Sequence, residues 1–215
     1  MKDASPSVRE SIRSSALILG LFAAVSTSLL ALTHCSTKGA IERSEQQMLL
    51  DQLQRILPPG SFDNALTEDT TTVEDPRLGT TQPVVVWRAR SEGDINAVVV
   101  ASEAPDGYNG RIRLLVGIKR DGTVAGVRVT AHRETPGLGD DIEVSRSDWI
   151  RDFTGKSLQS PSPSGWAVKK DGGVFDQFTG ATITPRAVIK AVHNTLDVFA
   201  EKPDAFLADD GSTTD

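Results

Sequence analysis

Thr182 ends the seven-residue segment DQFTGAT, which lies just before the first signal of a helix. A helix start carries unpaired backbone N–H groups and a partial positive charge, so a phosphate group bound there is stabilised. Gly180 and Ala181 add little bulk, so these N–H groups can approach phosphate oxygens closely. The hydroxyls of Thr179 and Thr184 are further hydrogen-bond donors. The segment therefore predicts a phosphate site beside Thr182; its other interpretation is a polar loop that leads into a helix.

The full pattern, Asp-x-x-Ser/Thr-Gly-Ala-Thr, is more selective than its last three residues and resembles a covalent flavin attachment site. The resemblance implies that a separate transferase joins the hydroxyl of Thr182 to the phosphate of FMN. The flavin would then carry the chemistry, while the protein supplies position, shielding and electrostatics. Asp176 fits poorly as a phosphate ligand, because two negative charges repel each other. It fits better as a group that binds a metal ion or orients the acceptor during attachment.

The composition argues against several other classes of function. The chain has 215 residues and a formal net charge of -6, with no cluster of Lys and Arg among aromatic residues. We therefore expect no nucleic-acid partner. The single cysteine, Cys35, cannot form an intramolecular disulfide. Three histidines occur, and none is spaced for metal ligation with another His or Cys, so we expect no metal site.

An uncharged, apolar run over residues 14–33 decides the expected location. A membrane-spanning helix needs roughly 20 mostly apolar residues, so we assign residues 14–34 to a transmembrane anchor. Basic residues precede the run and favour a cytoplasmic N-terminus over residues 1–13. Two alternatives are a cleaved signal peptide and a lipoprotein modified at Cys35, although the preceding Leu-Thr-His suits neither kind of cleavage site.

The remainder of the chain predicts a helical stalk, one domain and a tail. Residues 35–60 are assigned to the stalk, because apolar residues recur at helical spacing until Pro-Pro-Gly ends the pattern. Residues 61–202 are assigned to the folded domain. Residues 203–215 form an acidic tail of small residues that we expect to be disordered.

The domain is predicted to have an α+β fold, with a mostly antiparallel sheet and packed helices. Four runs rich in β-branched residues are separated by turn signals, including an Asp-Gly pair that is typical of tight hairpins. The sequence also predicts a short helix around Trp149 and a further strand around Trp166. A final amphipathic helix has Thr184 as its predicted N-cap and Pro185 in its first turn. The four strand runs are residues 83–90, 95–101, 111–118 and 124–131.

Over nearly its whole length the chain resembles the G subunits of the Rnf/Rsx electron-transport complexes. The resemblance rests on the position of the apolar run and on several motifs, of which the segment that contains Thr182 is the most specific. The motifs are APDGYNG (104–110), LLVG (114–117), ETPGLGD (134–140), SDWI (147–150), WAVKKDGG (166–173) and FDQFTGATITP (175–185). The C subunit of the sodium-pumping NADH:quinone reductase is a relative that shares the attachment motif.

The resemblance implies an FMN-binding domain with FMN esterified to Thr182, held on the periplasmic side of a bacterial inner membrane by a single span. The complex would couple electron flow between ferredoxin and NAD to ion movement, or keep a redox regulator reduced. The chain alone would turn over no substrate. Its partners would be the other subunits, the membrane and an FAD-dependent flavin transferase that requires Mg²⁺. The alternative is an unmodified assembly module that holds other subunits.

A second segment, ETPGLGD, is a further candidate for flavin contact. Its two glycines permit a tight turn, and Leu138 could lie against the isoalloxazine edge and exclude water; the other interpretation is a turn that closes a strand. We expect structural roles for His132, Trp149 and Trp166, and we expect Tyr108 to be a turn aromatic; its other interpretation is flavin contact. The predicted cofactor-binding residues are Thr182, Thr179, Gly180, Ala181, Thr184, Asp176, Glu134, Thr135, Leu138 and Gly139.

Overall fold

The computed structural model describes residues 8–57 and 60–208, which form two compact units that meet in sequence between Met48 and Leu49. Helix α1 runs over Val8–Gln54, so it forms the described part of the first unit and its last residues belong to the second. Within α1, the segment Ser15–Gly39 has 25 residues and a hydropathy of 2.1, so by length and composition it can cross a membrane. Residues 1–7 of the predicted cytoplasmic segment lie outside the described residues.

The second unit is built on a five-stranded antiparallel sheet, which confirms the predicted α+β class. Its strands follow one another in space as in sequence, so each pairs with its neighbour along the chain. Hairpin turns form where the sequence predicts them, for example at Gly122, whose φ of 81° suits glycine. The strands are β1 (Thr70–Val73), β2 (Val84–Ser91), β3 (Asp94–Gly107), β4 (Gly110–Lys119) and β5 (Val124–Ala131).

Helix α2 (Ile183–Glu201) covers one face of the sheet with the apolar stripe that the sequence predicts. The predicted N-cap is wrong, however: the cap position is Thr182, and Thr184 lies inside the first turn. The tail prediction is also wrong at its start. Pro203–Leu207 form helix α3, and Phe206 is fully buried against Phe199, with ring centroids 5.3 Å apart. Residues 209–215 of the predicted tail lie outside the described residues.

The predicted stalk is wrong over residues 49–57, because these residues pack on the other face of the sheet. Leu53, Ile56 and Leu57 are buried there in a second apolar cluster with Trp87, Val99 and Leu115. The folded unit thus begins well before residue 61.

Two sheet glycines make room for this packing. A Cβ on Gly117 would lie 2.3 Å from Ile56 Cγ2, and one on Gly126 would lie 3.4 Å from the Ile56 carbonyl oxygen. The absence of a side chain at Gly117 therefore lets Ile56 approach the sheet closely.

Candidate functional site

The DQFTGAT segment is held in place by an aromatic cluster beneath it. Phe175 and Phe178 point into the core, where the Phe178 ring lies 5.0 Å from that of Trp149 and the Phe175 ring stacks on Phe153 at 4.5 Å. The Trp149 indole Nε1 also donates a hydrogen bond of 2.8 Å to the Asp176 carbonyl oxygen. Trp149 and Trp166 are buried, so both have the structural placement that we expect from the sequence.

A tight turn then carries the chain into α2. The Ala181 N–H donates to the Phe178 carbonyl at 3.3 Å, and Gly180 has a φ of 81°, which glycine adopts without strain. The turn fixes Thr182 at the start of α2, where the N–H groups of the first turn have no intrahelical acceptor.

The strand predicted around Trp166 is instead irregular chain, in which Val168 forms a single bridge with Phe175.

The three threonines of this region occupy different environments. Thr179 is exposed, and Thr184 is fully buried with its hydroxyl donating to Glu134 Oε2. Thr182 is half-buried, and its side chain makes no capping hydrogen bond. Thr182 therefore offers a hydroxyl that is both accessible and free of any structural task in the described part of the chain.

Glu134 ties three parts of the domain together. It is buried, and its carboxylate accepts the Thr184 hydroxyl from α2 and the Asn109 backbone N–H, at 3.0 Å, from the β3–β4 turn. A Cβ on Gly139 would lie 2.9 Å from Glu134 Cβ, so glycine is needed there for this close approach.

His132 supports this arrangement from the end of β5. Its Nδ1 accepts the Glu134 backbone N–H at 3.0 Å, which leaves the proton on Nε2 to be donated to Glu143 Oε1 at 2.6 Å. Hydrogen bonds from His132 and then Ser145 hold the pKa of Glu143 below its usual range. His132 thus has the structural role that we expect.

These segments enclose a cavity of about 520 Å³, a size typical of sites for small molecules and cofactors. Every predicted cofactor-binding residue lines the cavity except Asp176 and Thr179. The lining residues are Tyr108, Glu134, Thr135, Leu138, Gly139, Gly180, Ala181, Thr182, Ile183 and Thr184.

Ile183 was missed as a lining residue, and Tyr108 was expected to be a turn aromatic, with flavin contact only as its other interpretation. Both are exposed apolar side chains, and so is Leu138. Exposed large apolar side chains at neighbouring motifs are the signal that could have found them, since such groups often mark a binding surface.

Asp176 lies outside the cavity. Its side chain is 61% exposed and forms an ion pair of 2.5 Å with Lys169 Nζ. The structure therefore separates it from the lining residues, although the neighbouring backbone is fixed in the core. Among the described residues, no group of three or more His, Cys, Asp and Glu side chains is placed to hold a metal ion.

The cavity suits a ligand with a flat apolar ring and an anionic end. Tyr108, Leu138 and Ile183 supply apolar contact, while the start of α2 supplies N–H groups and a partial positive charge. The small residues Gly180 and Ala181 let backbone atoms approach that end. An FMN molecule has both parts, so the residues present fit this cofactor.

Comparison with known proteins agrees with this assignment. Residues 107–197 match the FMN-binding domain family, so the chain contains an FMN-binding domain. Residues 1–56 match the RnfG N-terminal region.

Similar proteins include the G subunit of the ion-translocating oxidoreductase complex of Pseudomonas aeruginosa, which is 48% identical over 93% of this chain and 94% of its own length. The proteins of the same name from Vibrio cholerae and Vibrio parahaemolyticus are 48% and 46% identical over 86% and 92% of this chain, and over 89% and 93% of their own lengths. The chain belongs to this family of G subunits, and with its apolar helix it is a membrane-associated protein.

We expect Glu134→Ala to lower the free energy of unfolding by about 2–3 kcal/mol, because the Asn109 N–H and the Thr184 hydroxyl both lose a charged acceptor in the interior. Denaturant unfolding of the flavin-free, full-length chain in detergent, followed by tryptophan fluorescence, measures this change. Glu201→Ala is the control, since the exposed Arg77–Glu201 ion pair should contribute little to stability. Equal effects of the two substitutions would contradict the role given to Glu134.

Proposed function

We propose that this chain is the FMN-carrying electron-relay subunit of a membrane-bound, ion-translocating oxidoreductase complex, with FMN joined through its phosphate to Thr182. The accessible, structurally unused hydroxyl of Thr182 at the cavity wall is the observation that carries the proposal. The names of the related G subunits support the assembly and the ion-translocating role.

The bound flavin would supply reversible electron transfer, while the chain supplies binding, orientation and shielding. Leu138 and Ile183 would cover the ring and limit the access of water to it. Backbone N–H groups at the start of α2 would hold the phosphate oxygens and offset their charge. Thr184 remains bonded to Glu134, so its hydroxyl positions the cavity wall and takes no part in the attachment.

The attachment would use FAD as the FMN donor and would be catalysed by a separate, Mg²⁺-requiring flavin transferase. The Thr182 oxygen forms a bond to the phosphorus of the FMN half, and the pyrophosphate bond of FAD breaks. AMP leaves, and the hydroxyl proton passes to a base of the transferase. Asp176, which is exposed beside the turn, would orient the acceptor segment or contact the metal ion of the transferase.

The proposed topology follows from the charges around the apolar run. Residues 1–13 would be cytoplasmic, residues 14–34 would form a single span of the bacterial inner membrane, and the FMN-binding domain would lie on the periplasmic side. There the protein would exchange electrons with other subunits of the complex, in a chain between ferredoxin and NAD or towards a redox regulator.

The experiment is to produce the full-length chain with and without a flavin transferase, and to examine it by denaturing electrophoresis and intact mass. We expect a yellow-fluorescent band whose mass is raised by one esterified FMN when the transferase is present, and a colourless band without it. A colourless, unmodified chain in both cases would overturn the proposal and favour the unmodified assembly module.

A further inference from the structure

A recess lined by arginines lies next to the proposed FMN cavity. It has a volume of about 470 Å³ and is lined by Arg111 and Arg113 of β4 and by Arg133, together with Asn109, Gly110, Ala131 and His132. Three guanidinium groups around one recess are unexpected in a chain whose formal net charge is -6.

The acidic residues near the recess do not neutralise it. Glu103 is the only carboxylate that is paired with Arg111 or Arg113 in the described chain, at 3.5 and 3.3 Å, and those side chains remain 69% and 68% exposed. Arg133 is exposed and has no ion pair with the described residues. Two further carboxylates, of Glu134 and Glu143, bond to Asn109 and His132 in the lining of the recess. Because all three carboxylates are at most 40% exposed, whereas Arg111 and Arg113 are more than 60% exposed, the charge presented to a partner is mainly positive.

The same face of the sheet carries more positive charge. The β4–β5 register places Arg128 opposite Leu115, on the face to which Arg113 also belongs. Burial lowers the pKa of Arg128, and the positive charges of Arg151 and Arg55 lower it further. Cations thus gather along this side of the domain, both on the sheet and on residues 49–57, where the Arg55 carbonyl oxygen accepts a hydrogen bond from Arg128 at 2.9 Å.

The recess and the FMN cavity share a wall. Asn109 lines the recess, yet its backbone N–H donates to Glu134 and its side chain donates to Thr135 Oγ1 at 3.0 Å, and both acceptors belong to residues that line the cavity. A macromolecule seated on the arginines would therefore stand beside the flavin. Electron transfer weakens steeply with distance, so this is where a redox partner gains most by docking.

We propose that the arginine recess docks an acidic face of the protein that exchanges electrons with the FMN within the complex; this inference rests on the proposed function. Complementary charge would set the register of the two surfaces and hold the partner cofactor near the flavin. Tyr108, which is 65% exposed at the cavity, provides apolar contact next to the charged area, as in the mixed surfaces of specific interfaces.

The test uses cross-linking in membranes that contain the whole complex. Arg133→Lys keeps the charge and adds an amine that carbodiimide can couple to a partner carboxylate. We expect a cross-linked product whose linking peptide contains residue 133 and an Asp or Glu of another protein of the complex, and we expect added salt to suppress it. Lys119 is the internal control: it is exposed on the same face at the opposite end of β4, and it should form no such link.

A second measurement links docking to function. The triple variant Arg111→Gln/Arg113→Gln/Arg133→Gln should keep normal flavin fluorescence but reduce its FMN roughly tenfold more slowly in the assembled complex, whereas Lys119→Gln should behave as wild type. Wild-type rates in the triple variant, or the absence of any protein cross-link through residue 133, would overturn the proposal. Loss of binding to anionic lipid vesicles without a protein cross-link would also overturn it and assign the arginines to the membrane surface. Failure of the proposed function is distinguishable, because it removes the flavin fluorescence itself.

Discussion

Replacing Thr182 with alanine should abolish covalent FMN and leave the domain folded. The hydroxyl is the proposed ester oxygen, and no other group of residue 182 can replace it. Its loss costs little stability, because the side chain is half-buried and makes no capping bond. Intact mass and in-gel fluorescence measure the flavin, and denaturant unfolding of the flavin-free chain measures stability.

Two substitutions serve as matched controls for this result. Thr179→Ala should retain the flavin, because residue 179 is exposed and does not line the cavity. Thr182→Ser keeps a hydroxyl at the same position and should retain a measurable fraction of the modification. FMN that remains attached to Thr182→Ala would show that the assignment is wrong, and Thr179 or Thr184 would become the candidate.

A chain that begins at Ser61 should fail to form a stable domain, whereas one that begins at Met48 should remain soluble and folded. The shorter chain lacks Leu53, Ile56 and Leu57, which are at most 2% exposed against Trp87, Val99 and Leu115. Burial of each such side chain contributes about 1.5–3 kcal/mol, so losing all three is comparable with the entire stability of a typical domain, about 5–15 kcal/mol. Solubility, circular dichroism and thermal unfolding of the two chains measure the difference.

Gly117→Ala tests the same packing of residues 49–57 in the full-length chain. A Cβ at residue 117 would clash with Ile56 Cγ2, so the substitution should destabilise the domain. Adding Ile56→Ala should remove part of that cost, because the clashing atom is gone. If the chain that begins at Ser61 is as stable as the longer one, residues 49–57 are a stalk after all.

The local parts of the fold could be predicted from the sequence. Hairpin turns and helical periodicity depend on neighbouring residues, so β2 to β5 and α2 were correctly assigned. Strand β1 was missed because its Thr-Thr-Thr-Val sequence has no apolar alternation, and it is stabilised by pairing with β2, where Thr70 lies opposite Trp87. The apolar face of residues 49–57 indicated a helix but could not indicate which surface it covers.

In the candidate site, too, only the local features could be predicted from the sequence. The two motifs were evident from residue types, but their meeting around one cavity depends on Glu134, which bonds to Thr184 fifty residues away. The N-cap prediction failed because α2 begins two residues earlier than the sequence indicated, which places Thr184 inside the first turn. Tyr108 joins the cavity only because the β3–β4 hairpin brings it there.

The two sides of the segment FDQFTGAT have different roles. Phe175 and Phe178 face inward, where the volume and ring geometry of the core constrain them. Asp176 and Thr179 face outward and are exposed to solvent. The Trp149 indole N–H holds the main chain between the two phenylalanines by a hydrogen bond to the Asp176 carbonyl oxygen. Recognition by a modifying enzyme can therefore change through Asp176, while the inward residues keep the shape of the segment unchanged.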